Sequence, residues 1–339
     1  MSLQIIWYVL VGVLFAGYAV LDGFDLGVGV LYPFLARTDE ERATLRSSIG
    51  PFWDGNEVWL LTAGGALFAA FPPVYATAFS GFYLAMILIL AGLIFRAVAI
   101  EFRSKDPAWG RFWDWAFFGG SLLPALLFGV AVGNLVRGVP LDARGEYAGT
   151  FLTLLNPYAL LIGVTGLVMF ATQGASWAAL RTSGALQARA ARARSAGHWL
   201  LGLLVVASTA ATLWVTPDHV RNNLSRPAGW IMVLLLVGGF VFARYGMARK
   251  DDPRTFLGSS LGVLGLVGLW AVGNYPSLIP ALDQPELSLT VTNSSSSNLT
   301  LKVMLIISVV GVPLVLAYTT LVYRAFWGRA KDDAEEGAY

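Results

Sequence analysis

The sequence predicts an all-α integral membrane protein with about nine transmembrane helices, arranged as two four-helix bundles plus one extra helix. Three observations carry that expectation. Of 339 residues, 56% are hydrophobic and only 13% charged, about half the charge of an average soluble domain. Apolar runs of about 18 to 25 residues recur from end to end, the length that crosses a bilayer as helix. No run shows the in-out alternation of a membrane β-barrel strand, and lipid-embedded backbone must pair internally, which leaves helices.

The nine segments run over 5–34, 54–71, 75–102, 113–136, 155–179, 198–215, 228–245, 256–273 and 300–323. The first lacks a basic region before it and is too long for a signal peptide, so it reads as a retained span. Loops after the first, third, fifth, seventh and ninth segments carry seventeen of the 23 Lys and Arg. The opposite side carries five, counting Lys302 at the start of the ninth segment, and Arg96 alone lies deep within a segment. Positive charge marks the cytoplasmic side, which predicts an outside amino terminus and an inside carboxyl terminus.

An internal echo suggests how the spans are grouped. Ala131-Val-Gly-Asn134 ends the fourth segment and Ala271-Val-Gly-Asn274 ends the eighth, and each Asn is followed six residues later by Pro140 or Pro280. Four spans separate the copies, so the repeat would be parallel. The expected units are a first bundle over 1–137, a second over 138–274, an extracytoplasmic loop over 275–299, and a ninth helix with a cytoplasmic tail over 300–339.

Composition narrows the chemistry. Cysteine is absent, which removes disulfides, Cys-held zinc, iron–sulfur clusters and thiolate catalysis. The net charge of +2 gives no reason to expect nucleic acid as a partner. Only His198 and His219 offer imidazoles, both at segment boundaries, too few to hold several haems axially. No metal site is expected, and no Walker loop is present to cradle a nucleotide.

The few ionisable residues within spans each need a reason, because burying a charge at bilayer depth costs about 3 kcal/mol or more. Asp22 and Asp25 stand three apart in Gly17-Tyr-Ala-Val-Leu-Asp-Gly-Phe-Asp-Leu-Gly-Val-Gly29, on one helical face. Gly23 and Gly27 there allow a neighbouring backbone to come close. The carboxylates read as a proton relay or cofactor-facing cluster, or as a structural hydrogen-bond pair. In Pro51-Phe-Trp-Asp-Gly-Asn-Glu-Val-Trp59, Pro51 suits a first helical turn, and Asp54 and Glu57 fall near the positive end of the helix dipole. Asp54 reads equally as a station on a proton path that leads inward to Asp25. Arg96 either snorkels toward the headgroups or pairs with Asp22, Asp25 or Glu57. Asp114, between Trp113 and Trp115, reads as interfacial.

Several of these segments resemble one family closely. Gly17 to Gly29, Trp53-Asp-Gly-Asn-Glu-Val-Trp-Leu60, Ala63-Gly-Gly-Ala-Leu-Phe-Ala-Ala70 and Phe79-Ser-Gly-Phe-Tyr-Leu-Ala-Met86 are similar to subunit II of the cytochrome bd-type quinol oxidases. So are Gly129-Val-Ala-Val-Gly-Asn134, Leu155-Asn-Pro-Tyr158, Thr172-Gln-Gly-Ala175 and Leu299-Thr-Leu-Lys-Val-Met304. The resemblance spans nearly the whole chain and is most specific in the amino-terminal third.

The resemblance implies a nine-helix, multi-pass subunit of a bacterial inner membrane, paired with a homologous subunit I. That partner would ligate haem b and haem d and oxidise the quinol, so that dioxygen is reduced to water with cytoplasmic protons. This chain would stabilise the partner and supply part of a proton path. The family's Trp-Asp-Gly-Asn aspartate matches Asp54, its two first-helix aspartates match Asp22 and Asp25, and its Phe-Arg pair matches Phe95-Arg96. Glu57 stands where some relatives carry Gln. Some relatives hold a structural quinone in this subunit, and small single-helix accessory subunits are further partners that the resemblance admits. Two readings compete with the proton path: a multi-span secondary transporter, which also uses embedded carboxylates and repeats, and a purely structural oxidase subunit.

Overall fold

The computed structural model describes residues 2–330 and is helical almost throughout. The tail from 331 in the expected cytoplasmic segment lies outside the described residues. Thirteen α-helices are found among those described. In the first half they are α1 (Leu3–Leu35), α2 (Asp39–Ile49), α3 (Trp53–Ala70), α4 (Pro72–Gly81), α5 (Tyr83–Lys105), α6 (Gly110–Arg137) and α7 (Phe151–Leu154). The second half contains α8 (Pro157–Arg181), α9 (Gly184–Val215), α10 (Pro217–Ser225), α11 (Pro227–Ala248), α12 (Asp252–Asn274) and α13 (Asn298–Ala325). Between α12 and α13 a small antiparallel pair, β1 (Ser277–Ile279) and β2 (Leu289–Thr290), interrupts the loop expected at 275–299.

Among the described residues, eight helices are long and apolar enough to cross a membrane: α1, α5, α6, α8, α9, α11, α12 and α13. The segment expected at 54–71 is also one helix, α3, but its 18 residues open with Asp54, Asn56 and Glu57, and it falls outside those eight. The segment expected at 75–102 is not continuous. It is split into α4 and α5 at Phe82, just after Gly81.

Helix ends follow from local sequence. Thr38, Asn156, Asp251 and Ser297 accept hydrogen bonds from the backbone N–H three residues on, at the starts of α2, α8, α12 and α13, satisfying otherwise orphaned donors. Pro157, Pro217 and Pro227 open α8, α10 and α11, where a missing N–H costs nothing. Pro51 does not sit in the first turn of α3 as its position suggested. It lies in the turn before, and Phe52 is the residue that flanks the helix.

At one end of the molecule the basic loops meet. Arg103 joins Asp114 at 2.8 Å and Asp39 at 2.9 Å, Arg189 pairs with Glu41, and Arg194 bonds Asp252 at 2.7 Å. At the other end the two repeat copies touch: Asn274 donates to the Leu135 carbonyl at 2.9 Å, and Val139 exchanges backbone bonds with Pro280 and Leu282.

Helix α1 runs through the centre, packing on α3, α6, α8 and α12, while α11 packs on α12 and α9 on α8. Where α1 crosses α8, a Cβ at Gly27 would overlap the Phe170 carbonyl, and one at Gly174 would overlap the Gly27 backbone. The close approach expected at Gly27 is therefore met by a second glycine. Gly23 instead faces the Phe170 ring, which a Cβ would meet at 2.8 Å. Helix α13 stands at the periphery, exposed along most of its length. It is tied by the Trp7 indole N–H to the Leu301 carbonyl at 2.9 Å and, near its far end, by Tyr323.

Candidate proton-conducting site

The charges that the sequence concentrates in α1, α3 and α5 come together. Asp22, Asp25 and Arg96 are fully buried, and Asn56 nearly so. Arg96 Nη1 donates to Asp22 Oδ1 at 2.7 Å, and Nη2 lies 3.5 Å from Glu57 Oε1. The pairing reading of Arg96 thus replaces the snorkelling one. Its guanidinium is held inward by two carboxylates, and a planar fork with five donors suits a bridge between acids on two helices.

Small residues bring these helices close enough. A Cβ at Gly120 on α6 would sit 2.7 Å from the Arg96 backbone nitrogen, and one at Gly92 would sit 2.9 Å from the Pro124 ring. With α5 backed closely on α6, the Arg96 side chain reaches the acids of α1 and α3.

Asp25 does not share Arg96 as a hydrogen-bond partner. Asn56 Nδ2 donates to Asp25 Oδ2 at 2.8 Å, and the Tyr323 hydroxyl donates to Asn56 Oδ1 at 3.0 Å. Spacing of three residues on α1 put both acids on one face, yet the structure gives one an ion pair and the other an amide. The two acids thus share one buried site with different partners.

Asp54 lies elsewhere. It is in the first turn of α3 and exposed, whereas Asn56 is buried. The structure brings together Asp22, Arg96 and Glu57, and joins Asp25 to Asn56 and Tyr323; Asp54 remains on the outer surface of this chain. Asp114 is a hub at the basic end, bound by Arg103, by Arg42 at 3.5 Å and by the Tyr32 hydroxyl at 3.0 Å.

Asn56 and Tyr323 were not singled out from sequence. Asn56 sits inside the quoted Trp53 to Leu60 motif, which was a usable signal. Tyr323 is 267 residues away, and nothing in its surrounding apolar run distinguishes it.

Neither imidazole is set to grip a porphyrin. His198 is stacked on the Phe240 ring at 3.6 Å, and His219 is pressed against Gly273 at the other end of the molecule. Among the described residues no group of three His, Cys, Asp or Glu is placed to hold a metal ion. Neither imidazole among the described residues is placed for axial haem ligation.

The family model for cytochrome bd terminal oxidase subunit II matches residues 3–326. The chain is 41% identical to the cytochrome bd-I ubiquinol oxidase subunit 2 of Escherichia coli K12, over 99% of this chain and 98% of that one. It is 40% identical to a probable cytochrome oxidase subunit 2 of Haemophilus influenzae, covering 96% and 95%. With the cytochrome bd ubiquinol oxidase subunit 2 of Bacillus subtilis it shares 37% identity, covering 96% of each. The fold is similar to a chain in the bd oxidase structure from Geobacillus thermodenitrificans, with a TM-score of 0.76 over 96% of this chain and 99% of that one, at 17% identity.

Proposed function

Because the chain belongs to the cytochrome bd terminal oxidase subunit II family, we propose that it carries protons, not electrons, in a quinol:oxygen oxidoreductase of the bacterial inner membrane. Quinol oxidation coupled to the four-electron reduction of dioxygen follows from the family, as does membership of a complex with a subunit I. The haem b and haem d of that complex would be held by the partner, in keeping with the poor fit of His198 and His219 to such a role. In this reading the chain stabilises the partner and builds part of an electrogenic, cytoplasm-facing proton path.

The observation that carries the reading is the buried acid cluster. A scaffold needs one hydrogen-bonded carboxylate at most to fix helix packing, whereas Asp22 and Glu57 gather around a single fully buried arginine and a third acid, Asp25, is buried beside them on Asn56. Unequal acids in a dry site supply groups able to hold and pass a proton. Asp54 would take protons up at the exposed start of α3. Asp22 and Asp25 would receive them within, and Arg96 and Glu57 would set the charge balance. A structural quinone and single-helix accessory subunits are compatible with the exposed apolar flanks.

The same reading orients the molecule. The end where Arg103, Arg189 and Arg194 form their ion pairs faces the cytoplasm by the positive-inside rule. With α3 included as a span, nine helices cross, grouped as two four-helix bundles plus α13. Two sets of helix contacts support that grouping: α5 packs on α6 as α11 packs on α12, and α1 packs on α3 as α8 packs on α9.

The test is direct. Asp54→Asn should leave assembly and the visible haem spectrum of the pulled-down complex intact while slowing oxygen consumption; unchanged turnover from pH 6 to 9 would exclude Asp54 as a required relay. Asp22→Asn and Asp25→Asn should impair both turnover and assembly, and normal values in both would favour a structural subunit. Ion-coupled solute uptake by this chain alone would favour a transporter.

A further inference from the structure

We propose that Tyr323 on α13 is a positioning residue for Asp25, acting through Asn56. The proposal rests on the proton-path reading and extends it to a residue outside the α1, α3 and α5 cluster.

A primary amide has a donor end and an acceptor end, and only the donor end binds a carboxylate. In the structure the Asn56 N–H₂ faces Asp25 and its oxygen faces Tyr323. The hydroxyl that donates to that oxygen holds the amide in this orientation. Without the hydroxyl the Asn56 oxygen, in a residue only 2% exposed, loses its partner and the amide is free to turn. A buried acceptor left unpaired is costly, so the arrangement is strongly specified.

The Tyr323 ring is held for this task. It lies 4.5 Å from the Phe52 ring and 6.2 Å from Trp177, which is itself stacked on Phe24 of α1 at 4.1 Å. The hydroxyl is thus aimed at Asn56 by aromatic packing from α1, α3 and α8. On its other side Tyr323 helps form the wall of a cleft of about 360 Å³, with Leu21, Thr319, Thr320, Arg324 and Trp327. The charged groups around Asp25 are Asp22 on its own helix, Glu57 on α3, Arg96 on α5 and, beyond the Phe52 and Trp177 rings, Arg181 on α8.

The experiment uses Tyr323→Phe in the complete membrane complex, purified through this chain. It reads haem content, oxygen consumption per assembled haem, and the infrared carboxyl band that disappears in Asp25→Asn. The expected result is unchanged haem content, a displaced Asp25 band and a turnover loss of about three- to tenfold, the size of one net hydrogen bond. In the Asp25→Asn background Tyr323→Phe should cause no further loss. A band that stays in place, or losses that multiply in the double variant, would overturn the proposal. Phe52→Leu loosens the ring packing and keeps the hydroxyl; it should lower thermal stability with the band unmoved, and an equal band displacement would also overturn it. If Tyr323→Phe fails to assemble, Asn56→Ala carries the same band test, and a wild-type band there refutes the clamp. Wild-type turnover in Asp25→Asn would end the proton-path reading while leaving the band test of the clamp intact.

Discussion

Arg96 Nη1 lies 2.7 Å from Asp22 Oδ1 with both side chains fully buried, an ion pair between α5 and α1 that has no access to water within this chain. Removing one partner strands the other charge, at a cost of about 3 to 5 kcal/mol. Asp22→Leu or Arg96→Met alone should therefore abolish most of the assembled complex, read as haem per unit of membrane protein. The double variant removes both charges and should recover assembly without recovering oxygen consumption. If the double variant also recovers turnover, the pair is structural only.

The crossing of α1 and α8 at Gly27 and Gly174 makes a second prediction. Gly27→Ala places a methyl group on the Phe170 carbonyl, and Gly174→Ala places one on the Gly27 backbone. Backbone cannot rotate away as a side chain can, so overpacking here should exceed the usual cost of about 1 to 3 kcal/mol. The adjacent pair Gly238 and Gly239 supplies the control. A Cβ at Gly238 meets nothing within 4 Å, while one at Gly239 meets the Gly262 nitrogen at 2.5 Å. Thermal unfolding of the purified complex should show Gly238→Ala unchanged and Gly239→Ala and Gly27→Ala lowered.

These two relationships also show what was legible in the sequence. A 3.6-residue period fixes which residues share a helix face, so the carboxylates at 22 and 25 and the glycines at 23 and 27 pointed to a polar, closely packed first helix. Period says nothing about partners. Arg96 had three candidate acids, and only the three-dimensional arrangement of α1, α3 and α5 gives it Asp22 and Glu57. The segment begun at 155 lies close to the observed start of α8 at Pro157, whereas Pro51, read as a first-turn residue, falls in the turn before α3. The break at Phe82 was not legible, because Gly81 within an apolar run gives no clear stop signal. Tyr323 illustrates the limit: its role depends on a contact across most of the chain, and no local pattern encodes it.

The repeat copies differ in what their asparagines hold, and that yields a third prediction. Asn134 Nδ2 donates to the Val130 and Leu154 carbonyls at 2.9 and 2.8 Å, and its oxygen accepts from Asn156 at 3.0 Å. Asn274 Nδ2 donates to the Leu135 carbonyl, and its side chain is also a hydrogen-bond partner of His219. Leucine at 134 takes the Asn134 donor from the Leu154 carbonyl, a loss of about 1 to 3 kcal/mol, and takes one of two acceptors from the Asn156 amide, which keeps the Thr153 carbonyl at 3.2 Å. Asn134→Leu should lower the melting temperature of the complex more than Asn274→Leu. An equal effect would mean that the echo, not the bonding, sets the importance of these sites.

His219 links stability to pH at the end of the molecule opposite the ion-paired loops. It lies on α10, outside the spanning helices, pressed against Gly273 and opposed by the Asn274 side chain. Burial pushes its imidazole from the usual 6.5 down to about 4, because the charged form is poorly solvated there. Between those values the unfolded chain binds a proton that the folded chain does not. Stability is therefore complete above about pH 6.5 and is lost as pH falls toward 4, by up to about 3 kcal/mol. Asn222, Asn223 and Arg226 on the same stretch hold the carbonyls at the end of α12, so opening should begin there. Hydrogen exchange of residues 217 to 226 should rise between pH 6.5 and 4.5 in the wild-type complex. His219→Gln, which carries no titrating group, should flatten that dependence, and a slope that persists in this variant would place the sensitive group elsewhere.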